Sequence, residues 1–354
     1  MNIFKNILIK IRQFFTKEYN DGFIEIAPTE TDFFHTPDGT LGGIVDKKVL
    51  IKSGDWTPYR PDGELQRRGN GTETMACVTF SAMNVIETLI NYYIHLVNTN
   101  QAEDYQKEII RIFKEFNLIK NNKANFSDRY IAKMSGTSQN GNNQAKVADA
   151  IRHYGLVSED DWGWVAGWSN YYSPIPQDII AKGQRLLKYI EFNYEWVLLK
   201  DFTNARTYGP IQSSVYAWNY PEDGIYSFTT TMRNHAVDTD NEKYSSYSGV
   251  FDSYEPFSKK VSWDSPMGAG MLYSIHLRSI GYNLDAIKDL ISRGLKFIIR
   301  VDSDNGGKGQ VYELSETGLT ELTEQEKKDE AIRVLAEVKK LVGVSEETFN
   351  KLLC

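Results

Sequence analysis

From Cys77 to about residue 98 the chain sets Val78, Met83, Ile86, Leu89, Ile90, Tyr93, Ile94 and Val97 at helical spacing. Apolar residues over so wide an arc leave little polar surface, so this helix must be covered on most sides and belongs at the centre of a fold. Further helices are expected at about 101–117, 127–133, 143–154 and 176–189, the third closed by Gly155 as a C-cap. Beyond about residue 205 the pattern changes. Residues 211–218, 224–228, 235–237 and 249–251 are short, β-branched and aromatic, separated by turn signals, and read as antiparallel strands. A helix at about 284–293, a strand at 295–301, a hairpin of 309–314 with 319–322 and a charged helix at 324–341 complete the reading. The class is therefore α+β, a helical half followed by a β half.

With 354 residues, 41% of them hydrophobic, the chain can bury a sizeable core. Its formal net charge is -7 and no basic run is interleaved with aromatics, which argues against a nucleic-acid surface. The two cysteines, Cys77 and Cys354, cannot make a disulfide framework, which suits a cytoplasmic or virion-associated protein better than a secreted one. Residues 1–15 alternate apolar residues with lysines and lack the unbroken apolar run of a signal peptide. They read as an amphipathic helix for a membrane surface, a partner or the chain's own body, and nothing later is apolar for long enough to span a bilayer. Residues 19–68, rich in Pro, Gly, Asp and Thr, read as an extended wrapping segment. The terminal charged helix suits solvent, an oligomer contact or an assembly contact.

A thiol at a helix N-terminus meets positive potential and unpaired N–H groups, which favour thiolate. His235, in Asn234-His235-Ala236-Val237, and Asp252, in Asp252-Ser253-Tyr254, follow far downstream. Cysteine, then histidine, then Asn or Asp is the order of one class of thiol enzymes. Cys77 supplies the nucleophile and His235 the base, and Asp252 orients the imidazole. Gln66, shortly upstream of Cys77, is the candidate side-chain donor to the oxyanion, beside the Cys77 N–H. His35, His95, His153 and His276 show no metal-ligand spacing, and 302–307 has the composition of a calcium loop without its closing glutamate, so neither a metal nor an organic cofactor is expected. The aromatic cluster Trp162, Trp164, Trp168, Tyr171 and Tyr172 reads as packing beneath a loop rather than a sugar platform.

These residues resemble the papain-like cysteine peptidases in six stretches that keep the family's order. Met75-Ala76-Cys77-Val78-Thr79-Phe80-Ser81 is similar to the nucleophile helix, and Asn140-Gly141-Asn142-Asn143 to the Gly-rich substrate-binding loop before a helix ending Tyr154-Gly155-Leu156-Val157. Gly209-Pro210-Ile211-Gln212-Ser213-Ser214-Val215 is similar to the strand entering the β domain, and Asp223-Gly224-Ile225-Tyr226 to the segment before the histidine. Asn234-His235-Ala236-Val237 and Asp252-Ser253-Tyr254 complete the set.

The resemblance implies a two-lobe fold, with a helical lobe at about 77–200 packed on a barrel-like antiparallel lobe at about 205–300. This gives a peptidase domain at 55–300, a lead-in at 1–54 and a C-terminal extension at 301–354. It also implies peptide-bond hydrolysis through a thioester, with a protein or peptide as substrate and Asn140, Gly141 and Asn142 binding it. Departures from the family pattern are specific. Residues 67–74 must loop out for Gln66 to reach the site, which leaves Asn70 or Thr74 as alternative donors. Asp252 stands in place of an asparagine and Tyr254 in place of a tryptophan, while Asn142 replaces the second glycine of the loop. Whether the lead-in blocks the groove stays open. The long lead-in and charged terminal helix also suit a structural protein of the same fold, such as a phage particle component, and the same residues suit a cell-wall amidase.

Overall fold

In the computed structural model the described residues are 22–29, 32–37, 44, 47–68, 71–218, 221–227, 233–240, 247–262 and 267–278, together with the strand backbones at 297–301, 310–315 and 318–321. The expected helices at 1–15, 284–293 and 324–341, the turn at 302–307, Asn70 and Cys354 lie outside them. The chain divides into two compact units, 1–278 and 279–354.

The central helix spans Cys77–Asn98 and is buried on every face from Cys77 to Asn91. Its interior polar groups are answered locally, as burial demands. Asn91 donates to the Tyr59 carbonyl and accepts from the Ala124 N–H, while Glu87 accepts from the Phe126 N–H at 2.6 Å. Helices Asp104–Glu115, Asp128–Met134, Gln144–Tyr154 and Gln177–Leu186 surround it, close to the expected positions. Ser127 and Asn143 cap the second and third through their side-chain oxygens. Gly155 closes the third at φ 69°, where a Cβ would strike the Gly183 carbonyl oxygen at 2.1 Å.

Strands β1 (Arg67–Arg68) and β2 (Thr72–Glu73) form a small hairpin, as do β3 (Ile119–Lys120) and β4 (Lys123–Ala124). The main sheet comprises β5 (Ile190–Val197), β6 (Ile211–Val215), β7 (Ile225–Tyr226), β8 (His235–Thr239), β9 (Tyr247–Phe251), β10 (Ser258–Ser262) and β11 (Gly270–Leu277). Its order is β5-β11-β6-β8-β9-β10-β7, antiparallel throughout except where β7 joins β10. Among the described strands β5 and β7 are edges, so the sheet is open where a barrel-like lobe was expected.

Ile190, Phe192, Tyr194 and Trp196 alternate with polar partners, and β5 pairs with β11 over its whole length, from Gly270↔Val197 to Leu277↔Ile190. Strand β12 (Phe297–Val301) pairs with β13 (Gln310–Ser315), which pairs with β14 (Gly318–Glu321). The strand at 297–301 thus belongs to a separate three-stranded sheet, and the first compact unit closes at Arg278.

The lead-in wraps the first unit through its backbone. The His35 N–H donates to the Trp196 carbonyl and the Trp196 N–H to that of Phe33, so 33–35 extends the β5 edge. Farther on, the Leu50 N–H donates to the Thr207 carbonyl and the Trp56 N–H to that of Asp240, while Arg60 pairs with Asp240 in a bidentate arrangement.

Candidate functional site

Cys77 stands at the start of the central helix after a sharp turn. Met75 takes φ 55°, a left-handed conformation unusual for a side chain of its size, and Glu73 holds the turn by accepting the Met75 N–H at 3.1 Å. Buried Gln212 on β6 ties the first helical turn to the sheet, donating to the Val78 carbonyl at 2.6 Å and to Ser81 at 2.9 Å. The helix start is thereby locked to the strand beside β8.

β8 begins at His235, whose partner on β6 is Val215. His235 Nε2 lies 2.6 Å from Asp252 Oδ1, just past the end of β9. The Asp252 carboxylate also accepts the Ser253 N–H at 2.7 Å on Oδ1 and the Lys259 ammonium at 2.7 Å on Oδ2. His235 Nδ1 is buried, and Cys77 adds its own hydrogen bond and charge to the ring's hold on its proton. Burial pushes the imidazole toward its neutral form, but the charge and hydrogen bond of Asp252, joined by those of Cys77, outweigh it and hold the ring well above the usual histidine range. Burial likewise pushes Asp252 up, and His235 followed by Lys259 reverses this, holding the carboxyl below its ordinary value.

The histidine is walled by aromatics. The Tyr254 ring centroid lies 5.6 Å from the imidazole, and the Trp218 ring stands edge-on at 5.8 Å. Such walls exclude water and strengthen every charge interaction inside them. The family resemblance sets Tyr254 where a tryptophan covers the histidine pair; in the sequence Trp218 reads only as the close of a strand and Lys259 as part of an exposed-looking Ser-Lys-Lys run.

Gln66 is brought to this side of the site and is fully buried, but its amide is committed. Nε2 donates to Glu73 at 2.8 Å and to the Tyr254 hydroxyl at 2.7 Å, and its oxygen accepts from Ser253 at 2.8 Å. Tyr254 in turn donates to Glu73 at 2.6 Å. The amide nitrogen expected to face an oxyanion thus donates to Glu73 and Tyr254, while the amide oxygen holds Ser253, bracing both residues against the histidine pair. The Thr74 hydroxyl donates to the Gln66 carbonyl, so the alternative donor is engaged too.

The loop Asn140-Gly141-Asn142 lies across from Asn234, and the chain's own lead-in runs between them. The Asn142 N–H donates to the Gly22 carbonyl at 2.9 Å, the Ile24 N–H to the Asn142 carbonyl at 2.7 Å, and the Phe23 N–H to the Asn234 carbonyl at 3.4 Å. Gly22 is squeezed between Met75 and Gly141: a Cβ on Gly22 would meet the Met75 carbonyl oxygen at 2.3 Å, and one on Gly141 would meet the Gly22 oxygen at 1.9 Å. An extended segment therefore fills the groove two residues from Cys77, which is 0% exposed. Asn140 itself is exposed at the loop tip, beside an open hollow of about 500 Å³ whose lining includes Thr137, Trp168 and Tyr172. Among the described residues no cluster of His, Cys, Asp and Glu could hold a metal, and no helix is long and apolar enough to cross a membrane.

No family model matches the chain, and no curated protein does. Solved structures that it resembles include xylellain, a cysteine protease from Xylella fastidiosa, at 11% identity and a TM-score of 0.46 over 73% of this chain and 97% of that one. They also include procathepsin B from Trypanosoma congolense, at 12% identity and a TM-score of 0.39 over 70% of this chain and 87% of that one.

Proposed function

We propose that the chain is a papain-like cysteine peptidase held closed by its own lead-in. The observation that carries the reading is the buried His235–Asp252 pair, with Nε2 2.6 Å from the carboxylate, together with the influence of Cys77 on the same ring. Such an order of groups favours imidazolium beside thiolate. The Cys77 sulfur attacks the carbonyl carbon of a peptide, forming a C–S bond while the carbonyl becomes an oxyanion near the helix start. Collapse breaks the C–N bond as His235 gives its proton to the leaving amine. His235 then takes a proton from water, whose oxygen attacks the thioester, releasing the acid and restoring the thiolate and imidazolium. Asp252 stays ionised throughout. Gln66 braces the site, and oxyanion stabilisation falls to the Cys77 backbone N–H.

The groove's grip on residues 22–24 supports a peptide as substrate. It holds an extended chain by main-chain hydrogen bonds to Asn142 and Asn234, a mode indifferent to side-chain identity. Hydrolysis of a fluorogenic peptide, measured before and after limited proteolysis of the lead-in, tests both halves of the proposal. Activity that rises on trimming and disappears in Cys77→Ala is expected; hydrolysis that persists in Cys77→Ala refutes the assignment.

A further inference from the structure

Lys259 is an unusual residue to find where it is. On β10 Ser258 and Lys260 face out while Lys259 and Val261 face in, so one of two adjacent lysines is buried. Its ammonium, on a side chain 3% exposed, donates to Asp252 Oδ2 at 2.7 Å, to the Tyr254 carbonyl at 2.6 Å and to the Pro256 carbonyl at 2.7 Å. The rings of Trp218 and Tyr226 lie 5.8 Å and 5.7 Å from it. A buried ammonium persists only when its donors are answered and its charge is paired, and here all three N–H directions find oxygen. The two carbonyls fix where the nitrogen sits, and the nitrogen fixes one oxygen of Asp252. The other oxygen, held by the Ser253 N–H, is then aimed at His235.

We propose that Lys259 is the positioning residue of this site, clamping Asp252 in the plane that orients His235 and balancing the buried carboxylate so that its charge does not act on the imidazole alone. The consequence for turnover rests on the peptidase reading, whereas the clamp acts on His235 whatever the substrate. Among the described residues the titratable and charged groups around the pair are Cys77 from the central helix, Asp252 and Tyr254 after β9, Glu73 behind Tyr254, and Tyr226 on β7 facing Lys259.

The test is the titration of the His235 ring by NMR in the full-length chain with 15N-labelled histidine, assigned by the signal lost in His235→Gln. In Lys259→Met the whole charge of Asp252 falls on His235, so the midpoint moves up by about one pH unit. A midpoint unchanged from the native chain overturns the proposal. Because Lys259→Met strands a buried carboxylate and can unfold the chain, Asp252→Asn/Lys259→Met is measured beside it. That double variant removes both charges together and is expected to melt above either single variant. A melting loss equal to the sum of the single losses would mean that Lys259 only staples the carbonyls of Tyr254 and Pro256, and the proposal fails. In peptide hydrolysis Lys259→Met lowers kcat more than it changes KM and moves the alkaline limb of kcat/KM upward. A chain with no Cys77-dependent hydrolysis even after its lead-in is trimmed sinks the peptidase reading instead, and the titration still judges Lys259.

Discussion

Gly22→Ala isolates the lead-in from the rest of the molecule. Gly22 takes φ 102°, and an L side chain in the left-handed region costs about 1–2 kcal/mol. Its Cβ would also stand 2.3 Å from the Met75 carbonyl oxygen, where ordinary contact begins at 3.4 Å, so the backbone must retreat by more than an ångström. A retreat of that size breaks the bond from the Asn142 N–H to the Gly22 carbonyl, worth about 1 kcal/mol. Opening of the groove is then favoured by about 2–3 kcal/mol, or about 30- to 150-fold in the open population. Alkylation of Cys77 by iodoacetamide, followed by peptide mapping that separates it from Cys354, reads this population directly. The rate in Gly22→Ala should rise by that factor. Gly167→Ala is the control: it carries φ 90° but meets nothing nearer than the Asn170 side chain at 3.4 Å, and should leave the rate alone. A Gly22→Ala rate within twofold of native would mean that residues 22–24 do not guard the sulfur.

Two further outcomes follow from buried polar groups. Gln66→Ala removes an amide that makes three hydrogen bonds and should destabilise the fold by about 2–3 kcal/mol in denaturant titration; kcat should fall less than the roughly hundredfold or more expected for a lost oxyanion donor. Glu87, Asp128 and Glu159 are raised chiefly by burial, Glu159 to about 7, and then by neighbouring carboxylates: Glu64 acts on all three, Glu159 on Glu87 and Asp128, and Asp128 on Glu87. Their protons are held in the folded chain after the unfolded chain has shed its own, so their contribution to stability falls as pH rises from about 4.3 toward 7. Melting temperatures across that window should drop less steeply in Asp128→Asn than in the native chain, and an identical slope would contradict the assignment.

The helical centre was legible because Val78 to Val97 could be buried in few other ways. The pairing of His235 with Asp252 was within reach of sequence order, since a strand starting at one and a strand ending before the other can bring them together. β5 was missed although Ile190, Phe192, Tyr194 and Trp196 alternate, because its partner β11 lies far along the chain and only the pairing settles its side. Lys259 gave no signal: in Ser258-Lys259-Lys260 nothing distinguishes the inward lysine from the outward one until the strand's phase is known. The lead-in's seat in the groove was equally silent, being made of main-chain bonds at Gly22, Phe23 and Ile24, which leave no pattern of residue types. Gln66 was placed near the site by proximity to Cys77, but its engagement with Glu73, Ser253 and Tyr254 depends on a turn that sequence does not display.

The central claim is that the Cys77 sulfur is the atom that takes the acyl group. Rapid quenching of the Gly22→Ala chain with a peptide ester, followed by mass spectrometry, should find a single acyl addition on the fragment containing Cys77, absent from Gly22→Ala/Cys77→Ala. An adduct on Cys354, or none at all while the ester is being hydrolysed, would contradict it.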